Sequence, residues 1–254
     1  MTNDLFTTEA LCAALGDAAP PLVRAYAATD STNAEARRAF VEGLDTPALF
    51  AAAEQTAGRG RLGRQFLSPP GSGVYFTLFM PLREAPESML HVTSAAGVAV
   101  RRGILAATGR DTRIKWVNDL RLGDCKIAGM LAEAPVLGSR CGLIFGVGIN
   151  LRPMEFPPEL AGIAGSLGDT ACRRVDLIAA CVRELRSVLS DPAADWLDEY
   201  RAHSCTLGTP VRILRDGTEI LRGVAEDIRA DGALLVRRED GSLIPVTSGE
   251  VSVR

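Results

Sequence analysis

The chain has 254 residues, 47% of them hydrophobic and 23% charged, the balance of an ordinary folded protein and not of a disordered one. A net charge of −3 argues against a protein that lives on DNA or on an anionic membrane surface. No run approaches the ~18 apolar residues of a membrane span.

The length fits one large domain, or a medium domain with a small one. The N-terminus, MTNDLFTTEALCAALG, has no basic start ahead of an apolar stretch and so is not a secretory signal. The six cysteines are scattered, with no CxxC, as expected of reduced thiols in a cytoplasmic protein. His91 and His203 stand too far apart to propose zinc. Of 28 basic residues, 26 are arginine and only Lys115 and Lys126 are lysine. A chain that uses Arg wherever positive charge will do keeps Lys where a compact charge or a short reach is needed.

In chain order, residues 7–18 predict a helix with a Thr start signal. LVRAYAATDSTN and NAEARRAFVEG predict a strand, a turn and a helix capped by Ser31 to Asn33. Residues 48–54 read as a buried strand. The segment 55–73 is a loop, with five glycines and two prolines in nineteen residues. Residues 74–80 read as a strong strand and 87–108 as an Ala-rich core helix. IKWVNDL and CKIAGMLAEA predict two strands joined by a turn at Arg121 to Asp124, and GLIFGVGINL a third. After a Pro-rich loop come helices near 174–189 and 193–204. From Val211 on, short β-patterned runs are divided by Asp-Gly pairs at 216–217, 231–232 and 240–241, hairpin signals that suggest a small SH3-like barrel. The expected organisation is therefore an α/β-patterned domain over 1–205 and a β domain over 206–254.

Three segments carry chemistry. GRGRLGR (58–64) satisfies GxGxxG, but Pro69-Pro70 cannot open the helix a dinucleotide fold needs after its glycines. It reads instead as an anion loop, with Gly for close approach and Arg for bidentate contact to phosphate or carboxylate. KWVND (115–119) precedes KIAGMLAE (126–133). Asn118 and Asp119 are of a kind to orient a nucleotide or hold Mg2+, and Gly129 marks a close approach in a strand. In FGVGINL (145–151), Gly146 and Gly148 mark another close approach or a β-bulge, and Asn150 could bond an adenine or ribose.

Taken in this order, DSTN (30–33), EQTAGRGRLGRQF (54–66), IKWVNDL (114–120), KIAGMLAE (126–133) and GVGINL (146–151), with the terminal β module, resemble the biotin protein ligase family. The resemblance covers nearly the whole chain. It implies an α+β fold, a mixed sheet flanked by helices of the class II synthetase-like, biotin–lipoate ligase type, with a small C-terminal SH3-like β-barrel. It implies ATP-dependent activation of biotin to biotinyl-AMP and transfer to a lysine of a biotin carboxyl carrier domain of a carboxylase.

The resemblance also implies roles. Ser31, Thr32, Asn33 and Gln55 would contact biotin, with Gly129 along its ring and Arg59, Gly60 and Arg61 folded over it. Lys126 would bind the biotin carboxylate and the α-phosphate oxygen. Arg61, Arg64 and Lys115 would neutralise the triphosphate, and Phe66, Asn118, Asp119 and Asn150 would position nucleotide and Mg2+, the ion through Asp119. Asp119 would also orient the acceptor lysine. Two departures stand out: Phe66 where the family usually has Trp, losing an indole N–H, and Val117 where it often has Pro.

Rival readings are a lipoate or octanoate ligase and a biotin-sensing DNA-binding regulator. The chain lacks the arginine-pair, triple-glycine segment of the former. Only thirty residues precede Ser31, too few for the latter's three-helix unit, so no DNA partner is expected. A homodimer is left open.

Overall fold

Thr7 stands in extended backbone at the start of the first helix, α1 (Thr8–Leu15), and its hydroxyl accepts from Ala10 N at 3.2 Å, a side-chain cap of the kind the sequence signals. This is a computed structural model, and it describes residues 4–84, 89–190 and 195–253. The larger portion continues through β1 (Leu22–Tyr26), α2 (Thr32–Val41), β2 (Ala48–Ala52), β3 (Gly73–Leu82) and α3 (Met89–Thr108). Then follow β4 (Arg113–Lys115), β5 (Asp119–Leu122), β6 (Cys125–Glu133), β7 (Val136–Leu137), β8 (Arg140–Asn150), α4 (Arg174–Ser190) and α5 (Leu197–His203). The expected starts of the third and last helices, residues 87–88 and 193–194, lie outside the described residues.

The strands make a mixed sheet in the order β1-β2-β3-β8-β6-β5-β4, with β7 paired to β8. Only β1 and β2 run parallel among the described pairs of this sheet. The runs ALFAA and VYFTLF are apolar but for Thr77 and the Tyr75 hydroxyl because helices cover both faces of their strands. Alternate residues turn to opposite faces: Leu49, Ala51, Phe76 and Leu78 meet α3 and α4, while Phe50, Phe79 and Ile144 meet Ala36 and Phe40 of α2.

One expected strand is instead a hairpin. IKWVNDL does not run straight; β4 ends at Lys115, the chain reverses over residues 116–118, and β5 returns with Lys115 opposite Asp119. The reversal has no Gly and no Pro to announce it. It is held by tertiary partners: Trp116 N donates to Thr206 Oγ1 at 3.0 Å, Trp116 Nε1 to Gly232 O at 2.9 Å, and Asn118 exchanges bonds with the Met130 backbone. The expected turn before β6 is present as well.

The C-terminal module has β9 (Pro210–Arg215), β10 (Thr218–Ile228), β11 (Leu234–Arg237), β12 (Leu243–Val246) and β13 (Glu250–Val253), all antiparallel in the order β12-β11-β10-β9-β13. Asp216 and Gly217, with φ 49° and 78°, form the tight two-residue turn that Asp-Gly favours. The other two Asp-Gly pairs sit in the longer loops 229–233 and 238–242, where only the glycine is left-handed. Val211, Ile213, Leu234 and Val236 share one continuous apolar core with Trp116 and α3. The whole is an α+β fold with an SH3-like module. Among the described residues no helix is long and apolar enough to cross a membrane.

Candidate active site

Every residue that the resemblance implicates lines one cavity of about 330 Å³. Its floor is a strip of bare sheet where Gly129 of β6 faces Gly148 of β8 in register. A Cβ on Gly148 would stand 2.5 Å from the Phe66 ring; one on Gly129 would stand 3.4 Å from that ring and 3.1 Å from Lys126 Nζ. A Cβ on Gly146 would meet Asn33 Oδ1 at 2.0 Å. The glycines therefore admit side chains of this protein, and β8 pairs with β3 and β6 in unbroken register across 146–148, so the β-bulge reading does not hold.

One end of the cavity is neutral and built on the start of α2. Ser31 occupies the cap position, but among the described residues its hydroxyl makes no capping bond. Gln55 Oε1 takes that place, accepting from Thr32 N at 2.9 Å and lying 3.2 Å from Thr32 Oγ1, while Gln55 Nε2 donates to Ser68 Oγ at 3.0 Å. Asn33 is buried, with Oδ1 2.7 Å from Thr77 Oγ1 and Nδ2 donating to Glu133 Oε2 at 2.9 Å. Both ends of its amide thus tie α2 to the sheet.

The other end is cationic. The arginine loop folds on itself: Gly60 N donates to Arg64 O at 2.7 Å and Phe66 N to Gly58 O at 2.9 Å. Its turn at Arg61–Gly63 carries left-handed Leu62 and Gly63, and the chain beyond is extended, so no dinucleotide-type helix follows. Arg61 is half-buried, donates to Asn118 Oδ1 at 3.2 Å, and has its pKa lowered by burial against the pull of Asp119 and Glu250. Arg64 is exposed and pairs with Glu250 of β13 at 2.5 Å, while Arg59 lies exposed at the rim.

Lys126 Nζ lies 2.6 Å from Asp119 Oδ1. Burial lowers the pKa of Lys115, with the Asp119 charge opposing the shift. Asn150 donates from Nδ2 to Gly165 O at 2.8 Å, leaving its buried Oδ1 without a partner among the described residues. Six cations, Arg59, Arg61, Arg64, Lys115, Arg121 and Lys126, share the cavity wall with two carboxylates, Asp119 and Glu250. Such an excess suits a polyanionic ligand. Among the described residues no group of three or more His, Cys, Asp or Glu side chains could hold a metal ion alone.

Some residues of the wall, and of the support behind it, were not picked out by sequence reasoning. The Pro-rich segment returns beside β6, with Lys126 N donating to Ile163 O at 2.8 Å and Gly165 N to Lys126 O at 2.9 Å, which brings Phe156, Leu160 and Ile163 to the cavity. Thr77 touches Thr32 Oγ1 at 2.8 Å; a lone hydroxyl within VYFTLFM was its signal. Arg121 and Glu250 carried no comparable signal.

The site thus sets an arginine-rich loop and a lysine–aspartate pair on a mixed sheet that is joined to an SH3-like module. Residues 26–150 match the biotin/lipoate A/B protein ligase family, and residues 206–254 match the biotin protein ligase C-terminal domain. The chain is 31% identical over 239 residues to the biotin–[acetyl-CoA-carboxylase] ligase of Mycobacterium tuberculosis, covering 89% of this chain and 86% of that one. It is 32% identical over 209 residues to the bifunctional ligase/repressor BirA of Escherichia coli; that match covers 79% of this chain and only 64% of BirA's length. The biotin protein ligase of Aquifex aeolicus, solved with biotin and ATP, superposes with a TM-score of 0.78 at 26% identity, over 92% of this chain and 99% of that one. The chain belongs to the biotin protein ligase family.

Proposed function

We propose that the chain joins biotin to ATP as biotinyl-5′-AMP and passes the biotinyl group to a lysine of a biotin carboxyl carrier domain. The observation that supports this most directly is the Lys126–Asp119 pair at 2.6 Å, in one cavity with the neutral α2 pocket and the arginine loop. Ser31, Thr32 and Gln55 offer donors and acceptors to a ureido ring, which has two N–H groups and one carbonyl. Asn33 holds α2 against the sheet for them. Gly129 lies along that ring, Arg59 and Gly60 close over the biotin, and Phe66 helps to position the nucleotide.

In the first step a biotin carboxylate oxygen attacks the α-phosphorus in line, and pyrophosphate leaves. Charge gathers on the α-phosphate oxygens, and preorganised cations are the main means of stabilising it. Lys126 serves both the carboxylate and the α-phosphate; Arg61, Arg64 and Lys115 serve the β- and γ-phosphates. Asn150 offers its free amide oxygen to the nucleoside. In the second step a neutral lysine amine attacks the acyl carbon and AMP leaves; Asp119 orients the amine. The Asp119 carboxylate is the hard oxygen ligand that would help hold a Mg2+ carried chiefly by phosphates and water. That ion would supply further charge neutralisation on the phosphates.

The test is incubation of the purified chain with labelled biotin, ATP and a carrier domain. Label should reach the carrier only with ATP present. Transfer of lipoate or octanoate in place of biotin would overturn the assignment.

A further inference from the structure

We propose that Thr206 is a positioning residue for the adenylation step, its hydroxyl fixing the turn that carries Lys115, Asn118 and Asp119. The proposal rests on the biotin-activating reading above. Thr206 is fully buried where the chain passes from α5 into the SH3-like module. Its Oγ1 accepts from Trp116 N at 3.0 Å. The linker runs alongside β4 as one more short stretch of sheet: Ile114 bridges Ser204 in parallel, and Cys205 N donates to Ile114 O at 2.9 Å. Beyond Ile114 the backbone leaves that ladder and reverses, and the Thr206 side chain takes over as acceptor.

A second contact from the module closes the grip. Trp116 Nε1 donates to Gly232 O at 2.9 Å, and Gly232 has no room for a side chain, since a Cβ would stand 2.5 Å from the Leu90 backbone. On its opposite flank the turn is bonded to β6, Met130 N to Asn118 O at 2.9 Å and Asn118 Nδ2 to Met130 O at 3.0 Å. Lys126 stands four residues before Met130 on that strand. The turn is therefore held from β6 on one side and from the module on the other, and the Lys126–Asp119 distance depends on both. A buried N–H with no acceptor favours a displaced turn.

The decisive variants are Thr206→Val, which removes the acceptor at nearly constant volume, and Thr206→Ser, which restores it. Biotin-dependent pyrophosphate release should fall roughly 10-fold in kcat for Thr206→Val, the scale of one buried donor left unsatisfied. Biotin affinity, set at α2, should stay within about twofold, because distant sites act independently. Thr206→Ser should recover most of the kcat. Hydrogen exchange across 114–120 should rise in Thr206→Val while exchange in β8 stays unchanged. If Thr206→Val does not fold, Thr206→Cys, whose thiol is a weaker acceptor at the same place, should show a loss of the same kind that Thr206→Ser does not. Wild-type kcat and unchanged exchange at 114–120 would overturn the proposal, as would a Ser variant as impaired as the Val variant. A wild-type chain that releases no pyrophosphate with biotin would instead overturn the functional reading, and exchange at 114–120 would still decide whether Thr206 holds the turn.

Discussion

Lys126 Nζ sits 2.6 Å from Asp119 Oδ1 on the neighbouring strand, beside the Cβ-less backbone of Gly129. The ammonium is compact and fits between strand and carboxylate; on the function proposed above, a planar guanidinium there would push apart the two reactants. Lys126→Arg should fold normally and lose roughly 10²-fold or more in adenylation, the scale of removing one transition-state stabiliser. Transfer from supplied biotinyl-AMP should suffer less, because that anhydride is already made. Pyrophosphate release compared with transfer from synthetic adenylate measures the split; equal losses in both steps would remove Lys126 from the first.

Arg61 is held half-buried against Asn118, and burial lowers its pKa. A guanidinium kept partly out of water is ready to exchange its amide partner for a phosphate. Arg61→Gly should still form adenylate but retain it poorly. One lost charge-assisted contact is about 1.5–3 kcal/mol, or roughly 10- to 100-fold in retention. Biotinylation of bystander lysines should therefore rise. A mutant that labels only the carrier, at wild-type rate, would contradict the role given to the loop.

Lys126 was legible as one of two lysines in an arginine-rich chain, Arg61 from its place in a loop that alternates Gly with Arg, and Gly129 as a glycine within a strand pattern. The helices and the central strands were legible from apolar periodicity and from Thr7 at the first cap. The hairpin within IKWVNDL was not, since its turn is imposed by Thr206 and Gly232, some 90 and 116 residues away. Glu250 was equally hidden: one acidic residue on a short edge strand becomes part of the wall only when β13 comes beside Arg64. The cap of α2 was half legible. Ser31 stands in the expected place, but Gln55, from beyond β2, provides the bond.

Gly148 gives the Phe66 ring its seat, with 2.5 Å between the ring and the position a Cβ would take. Gly148→Ala should fold, because the ring can swing away, but it should unseat the arginine loop's C-terminal anchor. Overpacking of this kind costs about 1–3 kcal/mol, so adenylate retention should drop roughly 10-fold. Phe66→Ala alone should cause a similar loss. The two changes combined should cost little more than either, because they break the same contact. Strictly additive losses in that double-mutant cycle would show that ring and glycine act separately.

On the function proposed above, Lys115 should couple pH to nucleotide binding. Burial disfavours its charged form, so its ammonium gives up a proton below the pH at which an unfolded-chain lysine would, although Asp119 opposes the shift. A triphosphate restores the preference for the ammonium, so above the lowered pKa binding must take up a proton. ATP affinity should therefore be flat below that pKa and fall as pH rises through it. Stability has the opposite trend: between the lowered pKa and the ordinary one the unfolded chain binds more protons, so this residue's destabilising effect fades as pH rises. Lys115→Met should weaken ATP binding at neutral pH roughly 10-fold or more, the scale of a hydrogen bond to a charged group. It should also flatten the alkaline limb of the ATP-affinity profile and raise the urea midpoint at neutral pH. An alkaline limb that persists in Lys115→Met would assign the titration to another group.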